Sequence, residues 1–140
     1  MTGPGEPLQA EEAAPAADDL NECALVVDDQ ALIADLWCIL LEDMGYSVCG
    51  AAPTAEAAIA LARQHRPRVI IMDVRLRGER DGVDAAIAIH ESIGSKVIFI
   101  TGSREPETMA RIQLDRPTAV LFKPVSNHQF QSAVRQAFRH

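Results

Sequence analysis

The chain has no apolar stretch approaching the ~20 residues that a membrane-spanning helix needs, and no basic N-terminal region followed by an apolar run. A helical anchor and a recognisable export signal are thereby excluded, so a soluble, cytoplasmic protein is expected. Lysine is scarce: of 13 basic residues, only those at 96 and 123 are Lys. The bases form no patch able to hold a phosphate backbone, which argues against direct nucleic-acid binding. Cysteine is scarce as well, and Cys23, Cys38 and Cys49 lack metal-ligand spacing. An odd number of thiols fits reduced, mostly buried side chains better than a disulfide framework.

What is present suits one domain. The 140 residues are 48% hydrophobic, ample for a packed core at this length. The net charge of −7 is unevenly spread. Glu6, Glu11, Glu12, Asp18, Asp19 and Glu22 stand in a stretch, 1–22, that has no Lys or Arg. The remaining 14 acids nearly balance the 13 bases. Rich in Pro, Ala, Gly and acids and lacking apolar periodicity, residues 1–22 read as a disordered acidic arm. Residues 23–140 read as the folded domain.

From Cys23 onward, short apolar runs alternate with amphipathic stretches, the pattern of an α/β parallel sheet covered by helices on both faces. The runs are CALVV (23–27), YSVCGA (46–51), RVIIM (68–72), KVIFI (96–100) and TAVLF (118–122). They are β-branched and short, as strands buried on both sides should be. Between the first two, Ile33, Leu36, Trp37, Leu40, Leu41 and Met44 form one helical stripe that Gly45 stops. Thr54 is placed to cap AEAAIALARQH, and GVDAAIAIHESIG and PETMARIQL supply a third and a fourth helix. A fifth begins at Ser126, with Gln129 positioned to complete a capping box.

Active groups of an open α/β sheet gather beyond the carboxyl ends of its strands. The first run is followed by Asp28-Asp29, the third by Asp73, the fourth by Thr101-Gly102 and the fifth by Lys123-Pro124. Three converging carboxylates call for a divalent cation, and oxygen ligands suit Mg²⁺. A carboxylate is also a competent nucleophile toward phosphorus. The cation, a lysine ammonium and a hydroxyl then compensate the oxygens of a transferring phosphoryl group. Each residue taken alone is ordinary turn or capping chemistry. Their joint placement at four strand ends is what points to a site. His65, His90 and His128 fall on helical stretches and His140 ends the chain, and all four read as solvated residues rather than phosphotransfer groups.

On the motifs LVVDDQ, VIIMDVRL, VIFITG and LFKPV the chain resembles the response-regulator receiver family of two-component systems, from about Cys23 to the C-terminus. The resemblance implies a flavodoxin-like, doubly wound (βα)5 fold with a five-stranded parallel sheet in the order 2-1-3-4-5. It implies that Asp73 accepts a phosphoryl group from a histidine kinase or a histidine phosphotransfer protein. Asp29 and Asp73 would ligate Mg²⁺ directly, Asp28 through water, and the Arg75 carbonyl would add an oxygen. Thr101 would be the switch hydroxyl, Lys123 would pair with the phosphoryl group, and the Lys123–Pro124 bond would be cis. Such a chain signals rather than turning over an external substrate. It catalyses its own phosphorylation and slow dephosphorylation, and meets a downstream protein through its fourth helix, fifth strand and fifth helix. A monomer or a weak phosphorylation-dependent dimer is implied.

Three features depart from the family pattern. Arg77 replaces a common Pro, and Gly82 stands nine residues after Asp73 instead of eight, so the loop is longer by one. Val120 replaces a common aromatic three residues before the Lys. No output domain follows His140, so action through another protein or a phosphate relay is expected. Two other classes compete. A haloacid-dehalogenase-type phosphatase shares Asp, Thr, Lys and Mg²⁺, but Asp73-Val74-Arg75 lacks its second acid and there is no room for a cap domain. An unphosphorylated pseudo-receiver scaffold would be favoured by loss of an acid or the Lys, and all are present.

Overall fold

The structure, a computed structural model, describes residues 19–139. Five strands alternate with five helices. They are β1 (Asn21–Val27), α1 (Ala31–Asp43), β2 (Ser47–Ala52), α2 (Ala55–His65), β3 (Pro67–Asp73), α3 (Gly82–His90), β4 (Lys96–Thr101), α4 (Pro106–Leu114), β5 (Ala119–Phe122) and α5 (Asn127–Phe138). The strands pair in parallel in the order β2-β1-β3-β4-β5, the flavodoxin-like arrangement.

Alternation along the central strands feeds two apolar layers. Leu25, Val27, Ile70, Met72, Val97 and Phe99 pack under α2 and α3. Ala24, Val26, Val69, Ile71, Ile98 and Ile100 face α1 and α5, where Trp37 stacks on Phe130 with ring centroids 4.7 Å apart. β3 is buried along its whole length, which explains the unbroken apolar run Val69–Met72 at its centre.

Helix boundaries follow the expected caps. The Thr54 hydroxyl accepts from the Ala57 N–H, and Ser126 and Gln129 form a reciprocal capping box. Gly45, at φ +94°, turns the chain out of α1 through a conformation that side chains disfavour. Lys123–Pro124 is cis.

The other strands start and end within one residue of the apolar runs, and two boundaries differ by more. The stretch expected to be arm, 1–22, overlaps the sheet: Leu20 is buried, and β1 begins at Asn21, which pairs with Pro67 and donates its N–H to the Arg66 carbonyl. Residues 1–18 lie outside the described residues. The third helix closes at His90, and Ser92 and Ile93 make only turn hydrogen bonds back to Ile89.

The longer β3–α3 loop is anchored against the α2 N-terminus. Arg77 forms an isolated parallel bridge with Thr54, and Arg80 lies 3.8 Å from Glu56.

Candidate functional site

The topology brings β1 and β3 side by side at the centre of the sheet, so the residues leaving them meet at its C-terminal edge. Oxygens of Asp28, Asp29 and Asp73 all lie within 4.8 Å of one another. Asp28, Asp73 and Thr101 are 3%, 5% and 2% exposed and so largely withdrawn from water, while Asp29 is half-buried. Lys123 reaches in from the end of β5, with Nζ 3.4 Å from Asp73 Oδ1.

The electrostatics follow from that burial. Desolvation pushes the Asp73 carboxyl up to about 6; the Lys123 charge works against this and Asp28 adds to it. Asp28 is also raised, first by burial, although the Gln30 N–H and Lys123 pull the other way. One Asp28 oxygen accepts from Gln30 N–H at 2.9 Å, while the buried Oδ2 has no hydrogen-bond partner. A buried carboxylate oxygen left without a donor, beside two further carboxylates, is what a hard divalent cation satisfies. The donor set fits Mg²⁺.

Thr101 Oγ1 accepts from the Ser103 N–H at 2.9 Å, so the hydroxyl is tied to the β4–α4 loop that it begins. Beyond these groups opens a cavity of about 660 Å³ lined by Asp73, Arg75, Asp81, Thr101, Arg104 and Lys123, among others. The sequence-predicted residues Asp73, Thr101, Lys123 and Arg75 therefore share one cavity, with Asp28 and Asp29 adjoining it through the acidic cluster.

Gly82 has a steric reason to be glycine. A Cβ there would collide with the Asp73 carbonyl oxygen, and the Gly82 N–H donates to the Val74 carbonyl at 2.7 Å. The longer loop thus returns to the same backbone that presents Asp73.

Sequence reasoning missed several lining residues. Arg104, whose guanidinium stacks 3.8 Å over the Phe122 ring, sits three residues after Thr101. Asp81 is the N-cap of α3 and carries the Arg111 guanidinium. The acid-x-x-acid spacing of Asp81 and Asp84 signals the cap, but nothing in the sequence signals the partner 30 residues away. His90 also differs from the solvated residue expected: its Nδ1 lies 3.0 Å from Asp115 and its Nε2 3.0 Å from the Ser95 carbonyl.

Fold and acid placement together define a class of molecule: a doubly wound α/β module with its polar site at the strand carboxyl ends. Residues 24–135 match the family model described as the response regulator receiver domain, and the chain belongs to that family. It is a receiver domain of two-component signalling.

Among similar proteins are the transcriptional regulatory protein PdtaR of Mycobacterium tuberculosis and the phyllosphere-induced regulator PhyR of Methylorubrum extorquens. The first is 31% identical over 81% of this chain and 55% of that protein. The second is 30% identical over 86% of this chain and 45% of its own length. The chain thus spans about half the length of these curated relatives. Among solved structures, the signal receiver domain of a modulated diguanylate cyclase from Desulfovibrio desulfuricans is similar, with a TM-score of 0.77 and 33% identity, over 82% of this chain and 91% of that one. A CheY-like receiver domain protein from Methanospirillum hungatei matches with a TM-score of 0.76 and 25% identity, over 84% and 93% of the two chains.

Proposed function

We propose that this receiver domain takes a phosphoryl group on Asp73 from a phosphohistidine of a histidine kinase or phosphotransfer protein, in a Mg²⁺-dependent reaction, and signals through a phosphorylation-dependent protein contact or a relay. The observation that carries this reading is the meeting of buried Asp73 with Lys123 Nζ at 3.4 Å and with two further carboxylates within 4.8 Å.

A carboxylate oxygen of Asp73 forms the new bond to phosphorus while the phosphorus–nitrogen bond of the donor breaks, and the donor imidazole leaves with that electron pair. Lys123 compensates one phosphoryl oxygen as a compact charge. The Thr101 hydroxyl, released from Ser103, donates to another. Asp28, Asp29, Asp73 and the Arg75 carbonyl would hold the cation, which supplies the remaining charge compensation when bound. Burial removes water that would otherwise weaken these interactions. Hydrolysis of the acyl phosphate returns the resting carboxylate.

The test uses a small acyl phosphate and Mg²⁺, followed by intact-mass measurement. The wild-type chain should gain one phosphoryl group, and EDTA or Asp73→Asn should abolish the gain. Labelling of Asp73→Asn at the wild-type level would overturn the assignment.

A further inference from the structure

Helix α4 is mounted on α3 by charge more than by apolar packing. Ile112 is its single fully buried side chain, with Met109 partly buried against the same core. Arg111 supplies a fork: Nη1 to Asp81 Oδ2 at 2.7 Å, Nη2 to Asp81 Oδ1 at 3.1 Å, and Nη2 to Asp84 Oδ1 at 3.1 Å. Asp81 and Asp84 are the two halves of the capping box that starts α3. At the far end of both helices, Asp115 lies 3.0 Å from His90.

The Arg111 fork leads directly to the phosphoacceptor. Asp81 lines the same cavity as Asp73, and the next residue, Gly82, is held against the Asp73 and Val74 carbonyls. From the other side, α4 begins five residues after Thr101, through a loop in which Ser103 holds the Thr101 hydroxyl and Arg104 stacks on Phe122. The helix is therefore joined to the Thr101 side of the cavity by its chain and to the Asp73 side by one arginine.

We propose that Arg111 is a positioning residue: by clamping α4 to Asp81 and Asp84 it opposes displacement of the Thr101 loop toward a phosphoryl group on Asp73, and so sets how readily the domain adopts its phosphoryl-bound arrangement. This rests on the reading of Asp73 given above. A loop that contracts toward Asp73 pulls on the first turn of α4. With so little apolar burial to hold the helix, the bidentate ion pair is the side-chain restraint nearest the cavity, while His90 and Asp115 meet at the opposite end. The pair favours the arrangement in which it is formed, and its loss shifts the population toward the other. Arg111 and Asp81 are 39% and 30% exposed at their side chains, which places the effect in the range of a moderate ion pair rather than a fixed lock.

The test compares Arg111→Met, Arg111→Lys and Asp81→Asn by beryllofluoride affinity in Mg²⁺ and by hydrogen exchange of residues 106–115 without ligand. Asn keeps the N-cap of α3 while discarding the charge. The two neutralising variants change the local field in opposite directions, Arg111→Met making the cavity mouth more negative and Asp81→Asn less so. Release of a clamp moves both the same way. Both should bind beryllofluoride about two- to fivefold more tightly and exchange faster across α4, with Arg111→Lys between them and wild type. Affinities that move in opposite directions, or stay unchanged, overturn the clamp; so does unchanged exchange in α4. A wild-type chain that takes no beryllofluoride overturns instead the reading of Asp73 on which the clamp depends.

Discussion

Asp73 is a carboxyl whose buried environment works against its charge. Its folded pKa of about 6, above the ordinary 3.8, means that the folded state holds the proton more tightly than the unfolded chain. The stability associated with that proton is present below about 4 and is lost as pH rises through 6. The displacement corresponds to about 3 kcal/mol in metal-free protein. In EDTA, denaturant midpoints should therefore fall between pH 4 and pH 6.5, and Asp73→Asn should flatten that fall and exceed wild type at pH 7. A variant that keeps the slope would place the buried charge elsewhere. Asp81 behaves oppositely. Burial acts to raise its pKa, but the Arg111 hydrogen bonds and the Asp84 N–H outweigh this and leave it lowered, so its contribution is present at neutral pH and lost on acidification. The contrast also shows what could be read from residues alone. Thr101 and Lys123 announce themselves because each directly follows an apolar run. The Arg111–Asp81 pair joins two amphipathic helices across 30 residues, and periodicity carries no information about which exposed charges meet.

At the scale of elements, α2 and α4 match their sequence-read spans because strong local signals bound them: a threonine cap before α2, and a proline opening α4. The β1 start was not legible, since Asn21 and Glu22 are polar and enter the sheet through pairing with β3 and the Glu22–Arg68 ion pair at 2.7 Å. The loop between β3 and α3 was legible in length but not in path. Along that path Arg77 bridges Thr54, and the return brings Gly82 against the Asp73 carbonyl. Gly82→Ala should force the Asp73 backbone aside, costing about 1–3 kcal/mol in stability by denaturation and slowing phosphorylation together. A neutral outcome would show that the loop relaxes freely. With Val120 where a large ring would otherwise stand, the β4–α4 loop and α4 should carry most of the change. Hydrogen exchange with and without beryllofluoride should therefore differ across residues 101–116. Changes confined to α1 or α2 would contradict this.

The whole molecule is a sheet whose two apolar layers are complete without the acidic site, so fold and site are separable. Mg²⁺ should raise the melting temperature by relieving carboxylate repulsion, and Asp29→Ala should remove that response. An equal shift in the variant would exclude Asp29 as a ligand. The sheet also includes residues first read as arm: a chain beginning at Cys23 should be less stable than one beginning at Asp19 by about 2–3 kcal/mol, because Leu20 is buried and Asn21 pairs with β3. Among the described residues no helix is long and apolar enough to cross a membrane.

The central claim, that Asp73 carries the phosphoryl group, is tested most directly by trapping it. Borohydride reduces an aspartyl phosphate to homoserine, and peptide sequencing by mass then locates the modified position. After incubation with an acyl phosphate donor and Mg²⁺, homoserine should appear at position 73 and nowhere else in the chain. Homoserine at Asp28 or Asp29, or a labelled chain that retains aspartate at 73, would contradict the account.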